Sequence, residues 1–517
     1  MAKNILEYLE RTARRFPDKT AFSDEFTKVT YRELTDKAKC IGSALLKTKS
    51  QNSPWIVYIN KCPSCIEAML GVAYSGNFYT VIDIHTPDDR LQNILSVLNP
   101  VGVVTNRSQE LPDALIKLQN IFYIENCTET DSLKLAEIRE KTIDTDPLYV
   151  LFTSGSTGVP KGTVVTHRNV ITYTNWVCNT FDITEKTVFG SQAPFYFSMS
   201  VTDVFSTIKS GAELVIIPSQ YFAFPIKTLE FMAEHNVNTI YWVPSALRMV
   251  SAFKALELCK VQSLEKIMFA GETMPVSLLN LWRKNYPDAM FANLFGPTET
   301  TDICSYYIVD RELNDDESLP IGKNCNNCDI IVLNSDNKEA EAGEEGELCV
   351  RGSFVVPGYY NNREKTSAVF VQNPLNPYYP ETVYRTGDIV KFNDKNELIY
   401  IGRKDFQIKH MGYRIELGEI EAAADSYENI GTVCCVYDSE KDKIILIYAN
   451  RDISAADLMV HLEKKIPDYM MPEVIFAASE IPYTANGKID RKFIAANYKE
   501  MKKQSRKEKQ KNERHNY

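Results

Sequence analysis

The stretch Leu151–Gly162, LFTSGSTGVPKG, constrains this chain more than any other. From Thr153 to Gly162 it holds three glycines, four hydroxyl residues, one proline and one lysine. Glycine accepts positive φ and lets backbone N–H groups face a ligand without a Cβ in the way. Successive N–H groups in such a turn form an anion-binding nest. Thr153, Ser154, Gly155, Ser156, Thr157 and Gly158 supply that turn and its donors, and Lys161 adds a charge for phosphate oxygens. The spacing is not that of the GxxxxGK[ST] nucleotide loop, because Gly162 follows the lysine. Apolar runs at Leu148–Phe152 and Val164–Val165 flank the loop, so it reads as strand, loop, strand and not as a free Ser/Gly linker. The loop indicates phosphate and leaves the reaction open.

The surrounding pattern supplies the fold class. Apolar residues recur at helical spacing over Tyr31–Lys47, Asn169–Phe181 and Leu229–His235. Short buried strands are expected at Trp55–Ile59, Val101–Val104, Leu214–Ile217, Thr239–Val243 and Lys266–Phe269. Such alternation predicts an α/β protein with parallel sheets covered by helices. A chain of 517 residues exceeds what one core supports, so more than one domain is expected. No run approaches the roughly eighteen apolar residues of a membrane span. The N-terminal segment is polar and amphipathic, reading as a first helix and not a signal, which gives a cytoplasmic expectation. A net charge of −10 argues against a general nucleic-acid binder. Two CxxC pairs, Cys62–Cys65 and Cys325–Cys328, could in principle hold zinc. Cys62-Pro-Ser-Cys65 runs into a helix with Pro63 in its first turn, so these thiols read as small buried hydrophobes.

Four further clusters follow. In Ala292–Asp302, ANLFGPTETTD, the Gly296-Pro297 turn presents Phe295 as a face for a purine, Thr298 as a phosphate donor and Glu299 as a hard oxygen ligand for Mg²⁺. Tyr384–Asp388, YRTGD, offers a carboxylate to ribose hydroxyls. GRKD at 402–405 opens a polar break that reads as a domain boundary, and the loop Tyr483–Lys492 carries Lys488. The expected organisation is a large domain over 1–402, a small α+β domain over 403–498 and a disordered basic tail over 499–517, since that tail is charged and almost without apolar residues.

Taken in this order, the clusters and the terminal NGK loop resemble the adenylate-forming superfamily, which includes acyl-CoA synthetases, luciferases and adenylation domains of nonribosomal peptide synthetases. The likeness spans about residues 5–495. GYYN at 358–361, YRTGD, IKHMGYRIELGEIE at 408–421, IPDYMMP at 466–472 and NGKIDR at 486–491 look most like the amino-acid-activating branch, and among stand-alone members like D-alanine–carrier-protein ligases. The resemblance implies ATP and Mg²⁺, formation of an acyl-adenylate, and transfer to a thiol of a separate carrier protein or of CoA, no GGxS serine being present downstream. It implies that Thr153, Ser154 and Lys161 hold the leaving phosphates, that Thr298 touches the α-phosphate and Glu299 the Mg²⁺, and that Asn293 and Phe295 receive adenine. Asp388 would clamp the ribose with Arg403 nearby, and Lys488 would neutralise charge on the entering carboxylate. Asp405 takes the hinge position of a rotating small domain, and Gly412 the place where a glycine leaves room for the pantetheine arm.

The specificity pocket departs from its neighbours. Amino-acid activators of this kind place an aspartate two residues before a serine to meet the substrate's α-ammonium; here that position is Ser198. Met199, Thr202, Trp242, Met268, Ala270, Leu294, Asp302 and Ile303 are the remaining wall positions, mostly apolar with one acid. One reading is an acid without an α-amine, such as a hydroxybenzoate or short aliphatic acid, with Asp302 accepting from a distal hydroxyl; the bulky walls favour it. Another is a β- or ω-amino acid whose amine Asp302 neutralises, and a third is an ordinary amino acid such as D-alanine, rescued by Asp302. Asp203 reads as structural, at the start of the next helix.

Overall fold

A computed structural model describes residues 2–155, 158–315, 317–450, 452–478, 481–483 and 489–515, the side chains of 508–515 excepted. The chain divides into two compact units. One comprises Met1–Ile84, Val97–Phe152 and Gly162–Lys404; the other comprises His85–Ser96, Thr153–Lys161 and Asp405–Tyr517.

In the larger unit the expected alternation becomes two mainly parallel sheets. The seven-stranded one centres on Pro54–Tyr58, with Phe78–Val81 and Gly102–Thr105 parallel on either side and Pro147–Thr153 beyond Phe78–Val81. Pro54–Tyr58, Phe78–Val81 and Gly102–Thr105 are buried on both faces, which is why they read as unbroken apolar runs and not as alternating ones. The nine-stranded sheet runs, in part, Met290–Phe295, Lys266–Phe269, Thr239–Trp242, Val188–Ser191, Glu213–Ile216 and Thr20–Ser23, all parallel neighbours. A five-stranded antiparallel sheet contains Gly346–Gly352, the long strand Thr382–Phe392 and Leu398–Arg403. The helix Pro63–Tyr74 begins with its proline, where no N–H is needed, and Cys62 precedes it as a free thiol. It crosses the helix Tyr31–Leu45 at two glycines: a Cβ on Gly71 would stand 2.5 Å from Ile41 Cγ2, and one on Gly42 2.7 Å from Tyr74 Cβ. No helix among the described residues is long and apolar enough to cross a membrane.

The smaller unit owes its two cores to strand alternation. In Val433–Asp438, Lys443–Tyr448 and Val474–Ala477, residues Cys435, Ile444, Leu446, Tyr448 and Ile475 face one cluster with the helices Leu417–Asp425 and Ala455–Glu463. Their neighbours Cys434, Val436, Ile445, Ile447 and Phe476 face the other way, against Ile494 and Tyr498 of the C-terminal helix. That helix corrects one expectation. Instead of ending in a disordered tail from 499, Arg491–His515 is one helix. Ile494 and Tyr498 anchor its first turns, and the residues beyond are largely Lys, Arg, Glu and Gln, which lose little rotamer freedom in a helix.

The glycine crossing gives a stability test. Gly71→Ala should destabilise the larger unit by about 1–3 kcal/mol, because overpacking against the β-branched Ile41 outweighs the gain in helix propensity. Trp55, Trp176, Trp242 and Trp282 all lie in that unit, so tryptophan fluorescence during denaturant unfolding reads it directly. An unchanged midpoint would mean that the crossing is not tight.

Candidate active site

Thr153, Ser154, Gly155, Gly158 and Lys161 belong to the smaller unit, together with the segment that follows Asp405. Gly155 is required there by space, since a Cβ would stand 2.1 Å from Val159 O; Gly158 takes φ +77° and donates its N–H to Gly155 O at 2.9 Å. The loop's donors hold anionic oxygen: Gly155 N–H donates to Glu419 Oε2 at 3.0 Å, and Lys161 Nζ lies 3.3 Å from Glu416 Oε1. Ser154 Oγ donates to Arg414 O at 2.7 Å, and Arg90 pairs with Glu419. Ser156, Thr157 and Lys488 lie outside the described residues.

Past the unit boundary at Lys404/Asp405, Asp405 Oδ1 accepts the N–H of Gln407 at 3.2 Å. The strands Gln407–His410 and Tyr413–Glu416 form a hairpin whose two-residue turn has Met411 at φ +49° and Gly412 at φ +81°. Positive φ at both central positions matches the twist of the strands and explains the glycine at 412.

In the larger unit, Gly296 is again a matter of space. Its Cβ would meet Ile303 Cα at 2.5 Å and Asp302 O at 2.6 Å, because the chain doubles back so that Cys304 N–H reaches Phe295 O. This fold-back fixes Thr298, Glu299 and Asp302 at the end of the strand Met290–Phe295. Phe295 packs on Tyr400, with ring centroids 5.6 Å apart, and Asn293 Nδ2 donates to Pro320 O. The carboxylate of Glu299 is fully buried, and its Oε1 accepts the Tyr359 hydroxyl at 2.6 Å. Asp388 Oδ1 accepts from Arg403 Nη1 at 3.0 Å, two strands of one sheet bringing the pair together.

Several residues expected to line the substrate pocket meet at Asp302, which is 2% exposed. Tyr173 donates to its Oδ2 at 2.9 Å, Tyr241 at 3.1 Å and Thr202 at 3.2 Å. Ser198 adds a fourth hydroxyl, and Thr298 Oγ1 stands 3.5 Å from Ser198 Oγ. Burial pushes the Asp302 carboxyl up to about 6, against the pull of these four hydroxyls. Met199 caps the helix Ser200–Ser210, and Ile303 is buried beside Asp302. Met268 pairs in register with Tyr241 and Ala292, so Met268, Ala270 and Leu294 share the face that Tyr241 presents.

Trp242 does not share that face. It pairs with Phe269, donates its indole N–H to Gly190 O at 2.7 Å and packs on Phe222. Adjacent residues on a strand point to opposite sides, so Tyr241, and not Trp242, shares the face of Met268. The expected face residues Met268 and Ala270 could have located it, given the parallel register. Tyr173, from the helix His167–Thr180, left no such signal. Asp203 is buried in the first turn of Ser200–Ser210, where burial raises its carboxyl and the nearby charge of Lys61 opposes that rise.

A fold with these residues at these strand ends is an adenylation scaffold, and comparison with known proteins agrees. The family described as AMP-binding enzyme matches residues 9–360, and the chain belongs to it; it is an AMP-forming ligase in class. Among its relatives, the D-alanine--D-alanyl carrier protein ligase of Bacillus licheniformis is 32% identical over 94% of this chain and 98% of its own length. That of Lacticaseibacillus casei is 29% identical over 96% and 99%. Tyrocidine synthase 1 of Brevibacillus parabrevis is 31% identical over 95% of this chain, which spans 45% of that protein. Of solved structures, an artificially fused adenylation-PCP di-domain NRPS from Klebsiella oxytoca aligns with a TM-score of 0.78 at 21% identity, covering 92% of this chain and 93% of that one. IdnL1 aligns with a TM-score of 0.81 at 23% identity, covering 93% and 99%. Both bear on the fold alone.

Asp302 also gives a pH test. Its folded pKa lies above the ordinary aspartate value of about 3.9, so its contribution to stability is full below that value and lost as pH rises through about 6. Relative to Asp302→Asn, the native larger unit should therefore lose on the order of 1–3 kcal/mol between pH 4 and pH 7, read by tryptophan fluorescence in denaturant. A pH-independent difference would show that the carboxyl is not perturbed.

Proposed function

We propose that this chain activates a small amino acid as its acyl-adenylate and passes the acyl group to the phosphopantetheine thiol of a separate carrier protein, with the substrate's ammonium resting on Asp302. The observation that carries the substrate assignment is the buried Asp302 carboxylate, held by Tyr173, Tyr241 and Thr202 through one oxygen. A buried carboxylate held by hydroxyls gains further from a hydrogen-bonded cation. Ser198, at the position where amino-acid activators place the aspartate, lies in the same hydroxyl shell. The carboxylate is thus supplied from Asp302 in place of residue 198, which suits an amine displaced from the usual α position, as in a β- or ω-amino acid. The named activity of the D-alanine ligases supports the same class of reaction and keeps D-alanine within it.

In the first step a substrate carboxylate oxygen attacks the α-phosphorus, the bond from the α-phosphorus to the bridging oxygen breaks, and pyrophosphate leaves. Thr153, Ser154 and Lys161 would hold the departing phosphates, Thr298 the α-phosphate, and Lys488 the entering carboxylate. Asn293 and Phe295 would take the adenine, and Asp388 with Arg403 the ribose. The buried Glu299 offers a hard oxygen suited to Mg²⁺, which would neutralise phosphate charge. In the second step the thiolate attacks the acyl carbon, AMP departs with the former carboxylate oxygen, and the thiol proton goes to solvent. Asp405 would be the hinge and Gly412 the channel for the pantetheine arm. Such an ATP-consuming enzyme would work in the cytoplasm. A second reading, a neutral acid whose hydroxyl meets Asp302, is favoured by the apolar Met199, Met268 and Leu294 and includes CoA as a possible acceptor.

Acid-dependent pyrophosphate exchange tests the assignment. Asp302→Asn should lower kcat/KM for an amino-acid substrate about a hundredfold and for a hydroxy acid far less, since an amide still accepts from a hydroxyl. For the native enzyme, KM for the amino acid should climb as pH falls below about 6, where Asp302 takes up a proton. Equal losses on both substrate types would remove Asp302 as the ammonium partner.

A further inference from the structure

The two-residue turn of the hairpin Gln407–Glu416 needs positive φ at both central positions, which Asn-Gly or Gly-Gly meets without strain. Here the first of the two is a methionine, Met411, at φ +49° and 49% exposed. A side chain in the left-handed region is disfavoured, so contacts from outside the turn must hold it there. His410 and Tyr413 face each other across the base of the turn. Each of them is fixed by residues that lie outside the hairpin.

His410 is 4% exposed. Its Nδ1 lies 2.8 Å from Asp442 Oδ1, and its Nε2 lies 3.2 Å from Glu473 Oε1. Both carboxylates are themselves held. The Tyr437 hydroxyl donates to Asp442 Oδ1 at 2.5 Å, and the Ile444 N–H donates to Glu473 Oε2 at 2.7 Å. Tyr437 belongs to Val433–Asp438 and Ile444 to Lys443–Tyr448, so the ring is tied to two paired strands of the three-stranded sheet. Opposite it, Tyr413 stacks on Tyr469 of the short turn Asp468–Met470, with centroids 3.7 Å and planes 8° apart. With an acid on each nitrogen, His410 has neither left to take a proton from a substrate, which excludes a general-base role. Hydrogen bonds to carboxylates on both sides of a buried ring fix its position instead.

We propose that His410 is a positioning residue for thioester formation: opposite Tyr413, it clamps the base of the turn and keeps Gly412 set to admit the pantetheine arm. The proposal rests on the reading of Gly412 given above. Two variants of the full chain test it. His410→Phe keeps a ring and removes both nitrogens, and Glu473→Gln weakens one side of the clamp only. The acid is whichever of D-alanine and β-alanine gives the faster exchange. Pyrophosphate exchange reads the first half-reaction, and single-turnover transfer from the preformed acyl-adenylate to free pantetheine reads the second. In His410→Phe the transfer rate should fall at least about tenfold, as a displacement of about an ångström at a reacting site allows, while exchange stays near native. Glu473→Gln should show the same split at smaller size, and it decides the matter where His410→Phe does not fold. Equal losses in both half-reactions overturn the proposal, as does native transfer in both variants. Gly412→Leu, scored against its own pyrophosphate exchange, separates the two readings. Blocked transfer there beside native transfer in His410→Phe removes the positioning role alone. Native transfer in Gly412→Leu removes the channel reading, and the positioning role with it.

Discussion

A carboxylate removed from water needs hydrogen bonds or a counter-charge, and Asp302 is where that requirement organises the larger unit. Its partners come from four places in the chain: Tyr173 on the helix His167–Thr180, Thr202 on Ser200–Ser210, Tyr241 on a central strand, and Ser198 in the loop before Ser200. None is close to Asp302 in sequence. The group can be satisfied only when the sheet and both helices are in place, so the charge and the fold specify each other. Ser198 in turn lies 3.5 Å from Thr298, which ties this hydroxyl shell to the turn after Phe295.

The parts of the site that were legible in the sequence are those whose chemistry is contiguous. The glycine-rich loop after Phe152 needs its glycines within a few residues, and Gly155 has no space for a Cβ. The fold-back after Phe295 needs Gly296 for the same reason. Asp388 and Arg403, though apart in sequence, each sit in a short polar motif on a long strand, and antiparallel pairing brings them together. Parallel strands buried on both faces were also readable, because continuous apolar runs of four or five residues have few other uses.

What was not legible depends on phase and on distance. Trp242 and Tyr241 are equally bulky and apolar-faced by composition, and only the register against Met268 decides which of them meets Asp302. Tyr173 comes from a helix with no motif at all, and its role appears only through the hydroxyl it delivers. The C-terminal tail misled for another reason. Its composition is that of a disordered segment, yet the same Lys, Arg, Glu and Gln residues are good helix formers once Ile494 and Tyr498 fix the first turns.

The proposal that the substrate's ammonium rests on Asp302 is tested most directly with a matched pair of substrates. Pyrophosphate exchange on the native enzyme should be measured at pH 7.5 with D-alanine and β-alanine, each against propionate, the acid that lacks only the amine. At least one amine-bearing acid should exceed propionate in kcat/KM by a hundredfold or more, about 2.7 kcal/mol or greater. Propionate or a neutral aryl acid as the best substrate would contradict the account.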